Sequence, residues 1–342
     1  MTKTKPTKKD RFAGLIGQVK AKRKMSFHLD NFDATKVLPH MMFIAPKGCG
    51  KTLMAKAVGR NLLSAEPTTR VSTDSMGERV VTEIPAGKAP KRFLEVNCSS
   101  IKSVPQFVEG LLLEKILNKE VTVLFDEAHM LPNDVSMFLL TALNPNPENW
   151  NTMTFNDHTF DFNFRRQTFM FATTEAHKIF HALIDRCDRV DLEEYTMSQL
   201  GAIVKLNLDN LNLKCDESLL EEIALILRGN ARAAQKMANN MKNYLARAKK
   251  KKFDAGDWAK LKHALGIMPL GLNDIEIQIL KALRGRKDCS LTNLSAKVGL
   301  TAQCIRQDFE MYLQKTNLMS ISTGGRSLTG EGEEYLTIHK IK

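Results

Sequence analysis

The sequence predicts an α/β fold: a parallel sheet with helices on its faces, then a wholly helical segment, then a small module of helices and a hairpin. Three observations predict it. Short apolar runs at Met41–Ile44, Phe93–Val96, Val121–Phe125 and Thr168–Ala172 alternate with segments of helical spacing, the pattern of strands joined through crossover helices. From Thr196 to about Met268 no strand signal recurs. Beyond Pro269, three short helical patterns precede two extended runs around Gly324-Gly325, which is the winged-helix outline.

The 342 residues, 43% hydrophobic and 26% charged, leave room for two or three domains and a sizeable core. No apolar run approaches the ~18 residues of a membrane span. The basic start MTKTKPTKKDR has no apolar stretch behind it, so neither a transmembrane helix nor a secretory signal is expected. Cys49, Cys98, Cys187, Cys215, Cys289 and Cys304 lack metal-ligand spacing and read as reduced thiols of a cytoplasmic protein. A net charge of +12, with lysine clusters at Lys3–Lys9 and Lys249–Lys252, favours a polyanionic partner.

Residues 1–9 read as a disordered basic tail. Phe12, Leu15 and Ile16 then precede a turn at Gly17, and a basic amphipathic helix runs to about Phe32. The strand Met41–Ile44 enters the turn Pro46-Lys47-Gly48-Cys49-Gly50, and Lys51-Thr52 open a helix that reaches Leu63. Strand, glycine turn, Lys-Thr and helix together make a phosphate-binding loop. Gly48 and Gly50 let backbone N–H groups converge on phosphate oxygens, and the helix N-terminus adds its dipole. Lys51 would reach the β/γ-phosphates and Thr52 would hold Mg²⁺. Pro46, Cys49 and Leu53 complete the expected nucleotide contacts. Ala45 stands where the pattern has its first glycine. The stretch 64–92 has neither hydrophobic period and is expected to be a long exposed insertion.

Helices are expected at Val104–Leu117 and from Asn133 to Leu143, and a hairpin over Asn151–Phe164, where apolar and polar residues alternate about Asn156-Asp157. The strand Val121–Phe125 ends in Asp126-Glu127. Hydrolysis of a bound nucleoside triphosphate needs an acidic group for the Mg²⁺ shell, a carboxylate that polarises water, and positive charge on the γ-phosphate. Asp126 fits the first need and Glu127 the second. Thr174, closing its strand, could touch the γ-phosphate or the attacking water. Arg186, in LIDRCD, could reach a neighbouring subunit's ATP, and Arg232, at a helix start, could sense the γ-phosphate. On the residues alone, a helix-capping Asp126, a loop Thr174 and surface ion pairs for both arginines stay open.

The helical segment reads as Met197–Leu208, Glu217–Arg228, Ala231–Lys250 and Gly256–Leu265, and the terminal module as Asp274–Leu283, Leu291–Val298 and Thr301–Gln314 before the hairpin. The last of these helices carries only Arg306 and Lys315 as basic groups, beside Asp308 and Glu310. That suits contact with a nucleic-acid backbone more than with base edges.

Taken together, GLIGQVKAKRKM, APKGCGKT, VLFDEAHML, FATTE, LIDRCDRV and GNARAAQKM resemble the AAA+ ATPase family, and within it the RuvB branch of hexameric motors that drive Holliday-junction branch migration. GLNDIEIQIL and the wing with Gly324-Gly325-Arg326 resemble the winged-helix DNA-binding domain of that branch. The likeness runs over nearly the whole chain from Asp10. It implies an AAA+ P-loop core at 10–195, a helical lid at 196–268 and a winged-helix DNA-binding domain at 269–342. It also implies ATP and Mg²⁺ as cofactors, a homo-oligomeric hexameric ring on duplex or junction DNA, and a RuvA-like partner at the hairpin 151–164.

Carried over by residue, Lys51 and Thr52 take the phosphate and Mg²⁺ roles, and Asp126 and Glu127 the metal and water roles. Thr174 falls on the first sensor, Arg186 on the arginine finger and Arg232 on the second sensor. Ile16 and Gly17 would lie beside the adenine, and Arg326 near the DNA backbone. The chain departs from the branch at Ala45, at Glu175 (usually arginine), at Cys187 (usually phenylalanine), in the insertion 64–92 and in the hairpin's sequence. An ATP-driven DNA motor is the leading expectation. The alternative is an AAA+ nucleotide switch, a loader or transposition regulator that assembles on DNA without translocating. The letters DEAH also suggest a helicase with two RecA-like domains, which the helical second half excludes.

Overall fold

The computed structural model describes residues 10–73, 78–156 and 158–341; the basic tail 1–9 and Asp157 of the hairpin lie outside them. The chain divides into two compact units, residues 1–207 with 229–238, and residues 208–228 with 239–342. Strands of the first unit are β1 (Met41–Ile44), β2 (Thr68–Thr73), β3 (Arg79–Ile84), β4 (Arg92–Asn97), β5 (Val121–Asp126), β6 (Trp150–Phe155), β7 (His158–Asn163), β8 (Gln167–Thr173) and β9 (Asp188–Asp191). Its helices include α1 (Val19–Thr35), α2 (Lys51–Gly59), α3 (Val104–Phe107, running on as a π-helix over Val108–Ile116), α4 (Asn133–Ala142) and α5 (His181–Asp185).

β4, β5, β8, β1 and β9 pair in that order, all parallel. β5 and β8 read as unbroken apolar runs because both their faces are covered. Val123, Phe125, Phe169 and Phe171 pack on one side with α3 and α4. Phe43, Leu124, Met170 and Ala172 pack on the other with α1 and α2. Phe125 and Phe171 stack with ring centroids 5.1 Å apart. Parallel pairing brings the C-terminal ends of β1, β5 and β8 to one edge, with Ile44 in register with Thr173, the edge where such sheets bind ligands.

Several elements differ from the sequence expectation. The edge strand β9 carries no hydrophobic signal, because only Val190 is buried and Arg189 pairs outward with Asp191. α2 stops at Gly59, short of Leu63. The expected helix Val104–Leu117 loosens into π-helical turns after Phe107. The insertion 64–92 is no featureless excursion: β2 and β3 form an antiparallel hairpin, tied at its base by Ser64 N–H to Ala89 O (2.8 Å) and Lys91 N–H to Leu62 O (2.7 Å). Successive residues Val81, Thr82 and Glu83 are all exposed, so neither face of this hairpin needs an apolar period. β6 and β7 form the second hairpin, with Phe160 and Phe162 buried against the sheet unit's own core.

Helices α6 (Met197–Asn210) and α8 (Ala231–Ala248) run across the division between units. Residues 196–268 are therefore not a unit of their own: 229–238 belong with the sheet, and the remainder beyond 207 with the C-terminal module. That second unit holds α7 (Glu217–Leu225), α9 (Ala255–Ala264) and a two-residue parallel pair, β10 (Lys214–Cys215) and β11 (Lys252–Phe253).

The module itself is α10 (Asp274–Leu283), α11 (Leu291–Val298), a third helix in three pieces from Ala302 to Lys315, and an antiparallel wing, β12 (Met319–Ser322) with β13 (Gly325–Leu328). A final helix, Gly330–Ile338, follows the wing and was not among the expected elements. Gly332 is required by close approach: a Cβ there would lie 2.2 Å from the Leu318 carbonyl oxygen. Ile279, Leu280, Leu294, Ile305, Leu313 and Leu336 fill the core.

Glu276, fully buried, closes a capping box at the start of α10 with Asn273. It also accepts Arg228 in a fork, Nη1 to Oε1 at 2.7 Å and Nη2 to Oε2 at 2.6 Å, while Tyr312 stacks 3.9 Å from the guanidinium. Removing the cation would strand a buried carboxylate. Arg228→Ala should lower the unfolding free energy of this unit by about 3 kcal/mol, read from denaturant melts. Combining it with Glu276→Gln should recover part of the loss.

Candidate active site

The loop after β1 turns through Gly48 (φ +82°) and Gly50 (φ +90°), left-handed conformations that favour glycine. Both positions are also tight. A Cβ on Gly48 would fall 2.0 Å from Asn230 Oδ1, and one on Gly50 2.8 Å from the Tyr195 hydroxyl. Ala45 lies outside the left-handed region, so alanine fits where the pattern has glycine, and its N–H still donates to Thr173 O at 3.3 Å.

Lys51 is buried, its Nζ donating to the loop's own carbonyls, Ala45 O at 2.8 Å and Pro46 O at 3.2 Å. Burial lowers its pKa, while the nearby Glu127, Cys49 and Asp126 oppose that shift. Arg232 is close enough for its charge to bear on Lys51. It stands at the start of α8, where Asn230 Oδ1 caps the N–H groups of Arg232 (2.9 Å) and Ala233 (3.2 Å), and Ala231 N–H reaches Gly48 O at 3.0 Å.

The Thr52 hydroxyl donates to Asp126 Oδ2 at 3.0 Å. A hydroxyl and a carboxylate converging beside a phosphate loop are hard oxygen donors that fit Mg²⁺, an ion that keeps most of its shell for water and phosphate. Among the described residues no group of three or more His, Cys, Asp or Glu is placed to hold a metal ion. Glu127 follows Asp126 with φ +53°, its side chain more than a third exposed. Its Oε2 lies 3.6 Å from His129 Nδ1. Thr174 is half-buried one residue past β8, whereas Thr173 is fully buried and meets His129 Nδ1 at 3.1 Å.

Ile16 and Gly17 (φ +67°) sit in a strap before α1, with Gly17 against the Gln199 side chain. The strap is fastened by Gln18, which sequence reasoning missed. Its amide donates to Cys49 O (3.3 Å) and Glu193 O (2.7 Å) and accepts from Glu193 N–H (3.0 Å). Leu53 is exposed on α2.

Arg186 is not brought to this group. It caps α5, with Nη1 on Ala182 O at 2.9 Å and a buried Nε that has no hydrogen-bond partner. It lines a separate cleft of about 710 Å³ with His28, Asn31, Thr35, His40 and Arg165, a cleft to which no phosphate-loop residue contributes. Burial pushes His40 down to about 4, so it is neutral at pH 7.

In the winged module the expectation for Arg326 needs correction. Its guanidinium is locked onto buried Glu310, Nε to Oε1 at 2.8 Å and Nη2 to Oε2 at 3.2 Å. The charge is matched inside the protein rather than offered to a DNA backbone. Arg306 is exposed. So are Arg286 and Lys287, which precede Asp288, the residue that accepts from the Ser322 hydroxyl (3.2 Å) and lies against Gly324 of the wing turn. No sequence signal marked that pair beyond two adjacent cations in a turn.

Residues 41–195 match the model of the ATPase family associated with various cellular activities, and residues 269–337 match the RuvB C-terminal winged helix domain. The Holliday junction branch migration complex subunit RuvB of Mycoplasmopsis pulmonis is 22% identical, covering 98% of this chain and 99% of its own length. The corresponding Thermotoga petrophila subunit is 23% identical over 94% and 89%. Thermotoga maritima RuvB superposes with a TM-score of 0.70 at 20% identity over 94% of this chain and 95% of that one, which shows a shared fold. Residues 41–195 thus carry an AAA domain and residues 269–337 a RuvB-type winged helix domain on one polypeptide, and over nearly its whole length the chain is similar to RuvB subunits.

Proposed function

We propose that this chain is an ATP-driven DNA motor that moves duplex DNA and drives branch migration of Holliday junctions in recombination and repair. One observation carries the reading: the 3.0 Å contact between Thr52 and Asp126, with Glu127 beside it, on a chain that also bears a RuvB-type winged helix. The backbone N–H groups of the Gly48–Thr52 turn would grip the phosphates, with Pro46, Cys49 and Leu53 around the loop and Ile16 and Gly17 beside the base. Lys51 would leave the Ala45 and Pro46 carbonyls for the β/γ-phosphates. Mg²⁺, held by Thr52 and through the shell of Asp126, would supply Lewis-acid polarisation of phosphate oxygens. Glu127 would polarise the attacking water, with Thr174 and Arg232 sensing the γ-phosphate.

Arg186 lines a different cleft from the phosphate loop, which supports its action on a neighbour's nucleotide. The reading therefore includes a homo-oligomeric ring, hexameric by analogy, working in the cytoplasm. A chain that keeps both Glu127 and Arg186 is built for turnover, which favours a motor over a nucleotide switch. Arg306, Arg286 and Lys287 are the proposed backbone contacts, with Arg326 holding the wing in shape. A RuvA-like partner would dock at the 151–164 hairpin, next to which Trp150 is exposed.

ATPase measurements with junction, duplex and single-stranded DNA test this directly, and stimulation by duplex or junction is expected. Lys51→Ala should abolish turnover. Glu127→Gln should retain nucleotide but turn over about a hundredfold or more slowly, and unchanged hydrolysis in either variant would refute the site. Mixing inactive Arg186→Ala with inactive Lys51→Ala chains should restore part of the activity, and no recovery at any ratio would count against a shared site. Replacing Arg286 and Lys287 by alanine should reduce the slope of log affinity against log salt by about one per lost phosphate contact.

A further inference from the structure

We propose that the exposed face of α8 beyond residue 238, with the turn that follows it, is a second DNA contact that holds the phosphate backbone of a duplex. It adds to the reading in which the wing cations meet DNA, and rests on that reading only for the identity of the polyanion. α8 is 18 residues long and contains no Asp or Glu. From residue 239 it belongs to the same compact unit as the winged module. Met241 and Leu245 are fully buried there, and Tyr244 meets the Phe253 ring edge-on, centroids 5.9 Å apart. These contacts turn the opposite side outward. Asn239, Lys242, Asn243 and Arg247 are exposed at positions i, i+3, i+4 and i+8, one face of the helix. Lys249 and Lys251 are exposed just beyond it, Lys249 with φ +54°.

Carboxylates reach this end of α8 but are taken. Lys250 pairs with Asp257 at 2.9 Å and with Asp254 at 3.3 Å, and Lys252 pairs with Asp216 at 2.6 Å. Among the described residues Lys242, Arg247, Lys249 and Lys251 have no ion pair. A helix face that serves only solvent gains from mixing signs, since Glu–Lys pairs one turn apart stabilise it; this one forgoes them. The helix dipole favours a cation in the last turn, which accounts for Arg247. It does not account for Lys242, nor for two exposed asparagines, poor helix formers whose amides are hydrogen-bond donors. Lys, Arg and Asn are side chains that hold phosphate oxygens without reading sequence. Asn239 to Arg247 spans roughly 12 Å at about 1.5 Å per residue, beside a duplex that carries a charge about every 1.7 Å of its axis. A second copy of this chain, with its own net charge of +12, is the poorer electrostatic match.

The test is binding of the full chain to a labelled duplex over a range of salt concentrations, with ATPase and melting measured alongside. Lys242→Ala, Arg247→Ala, Lys249→Ala and Lys251→Ala combined should weaken binding about tenfold or more at low salt, whatever the duplex sequence. The slope of log affinity against log salt should fall by about one per lost contact. DNA-free ATPase and melting temperature should not change. Asn239→Ala with Asn243→Ala should weaken binding several-fold and leave that slope alone, because neutral donors release no counterions. Unchanged affinity and slope in the quadruple variant would overturn the proposal. So would a quadruple variant that keeps the parent's slope but no longer assembles with ATP, which would give the face to a second copy. The variant lacking Arg286 and Lys287 separates this contact from the motor reading. Slope lost there and not in the α8 variant leaves the DNA reading standing and ends this proposal; a parent chain that binds no duplex ends both.

Discussion

A hydrogen bond of 3.0 Å from the Thr52 hydroxyl to Asp126 joins the loop after β1 to the end of β5, across the intervening strand β8. The proposed chemistry depends on it. Neither residue could be held there by its own element alone: Thr52 belongs to the first turn of α2, and Asp126 to the last residue of a strand two places away in the sheet. What fixes their meeting is the parallel sheet, which sends β1, β5 and β8 to one edge, and the aromatic packing that locks those strands in register. The stacked rings of Phe125 and Phe171 are partners in register, one residue before Asp126 and two before Thr173. A slip of one residue between β5 and β8 would turn those rings to the opposite face and separate the carboxylate from the hydroxyl.

Much of this was legible in the sequence, for a physical reason. Central strands covered on both faces must be apolar throughout, so β5 and β8 declared themselves. The phosphate loop and the Asp126-Glu127 pair are local in sequence and carry their own spacing. What stayed hidden was either solvated or remote. β9 and the β2–β3 hairpin expose too much of their surface to need an apolar period, and the C-terminal helix begins with two glycines, one of them demanded by the Leu318 carbonyl. Gln18, Tyr195 and His129 act on the site from distant positions or through side-chain geometry that no short motif encodes.

Three arginines illustrate how the fold decides what a charge can do. Arg228 and Arg326 are each matched by a buried carboxylate, Glu276 and Glu310, and thereby shape the second unit. Arg186 is matched by no carboxylate: its Nη1 donates to Ala182 O, its buried Nε has no hydrogen-bond partner, and it lines a cleft. In sequence the three are alike. Only the placement of a carboxylate opposite two of them separates those two from Arg186.

The account stands or falls on coupling between nucleotide hydrolysis and movement of DNA. Its most direct test is conversion of a labelled four-way junction into duplex products by the purified chain, with ATP or with a non-hydrolysable analogue, alone and with a RuvA-type partner. The account predicts products that form with ATP and not with the analogue. Junctions left intact with ATP, by a chain that neither assembles on DNA nor hydrolyses nucleotide, would contradict it.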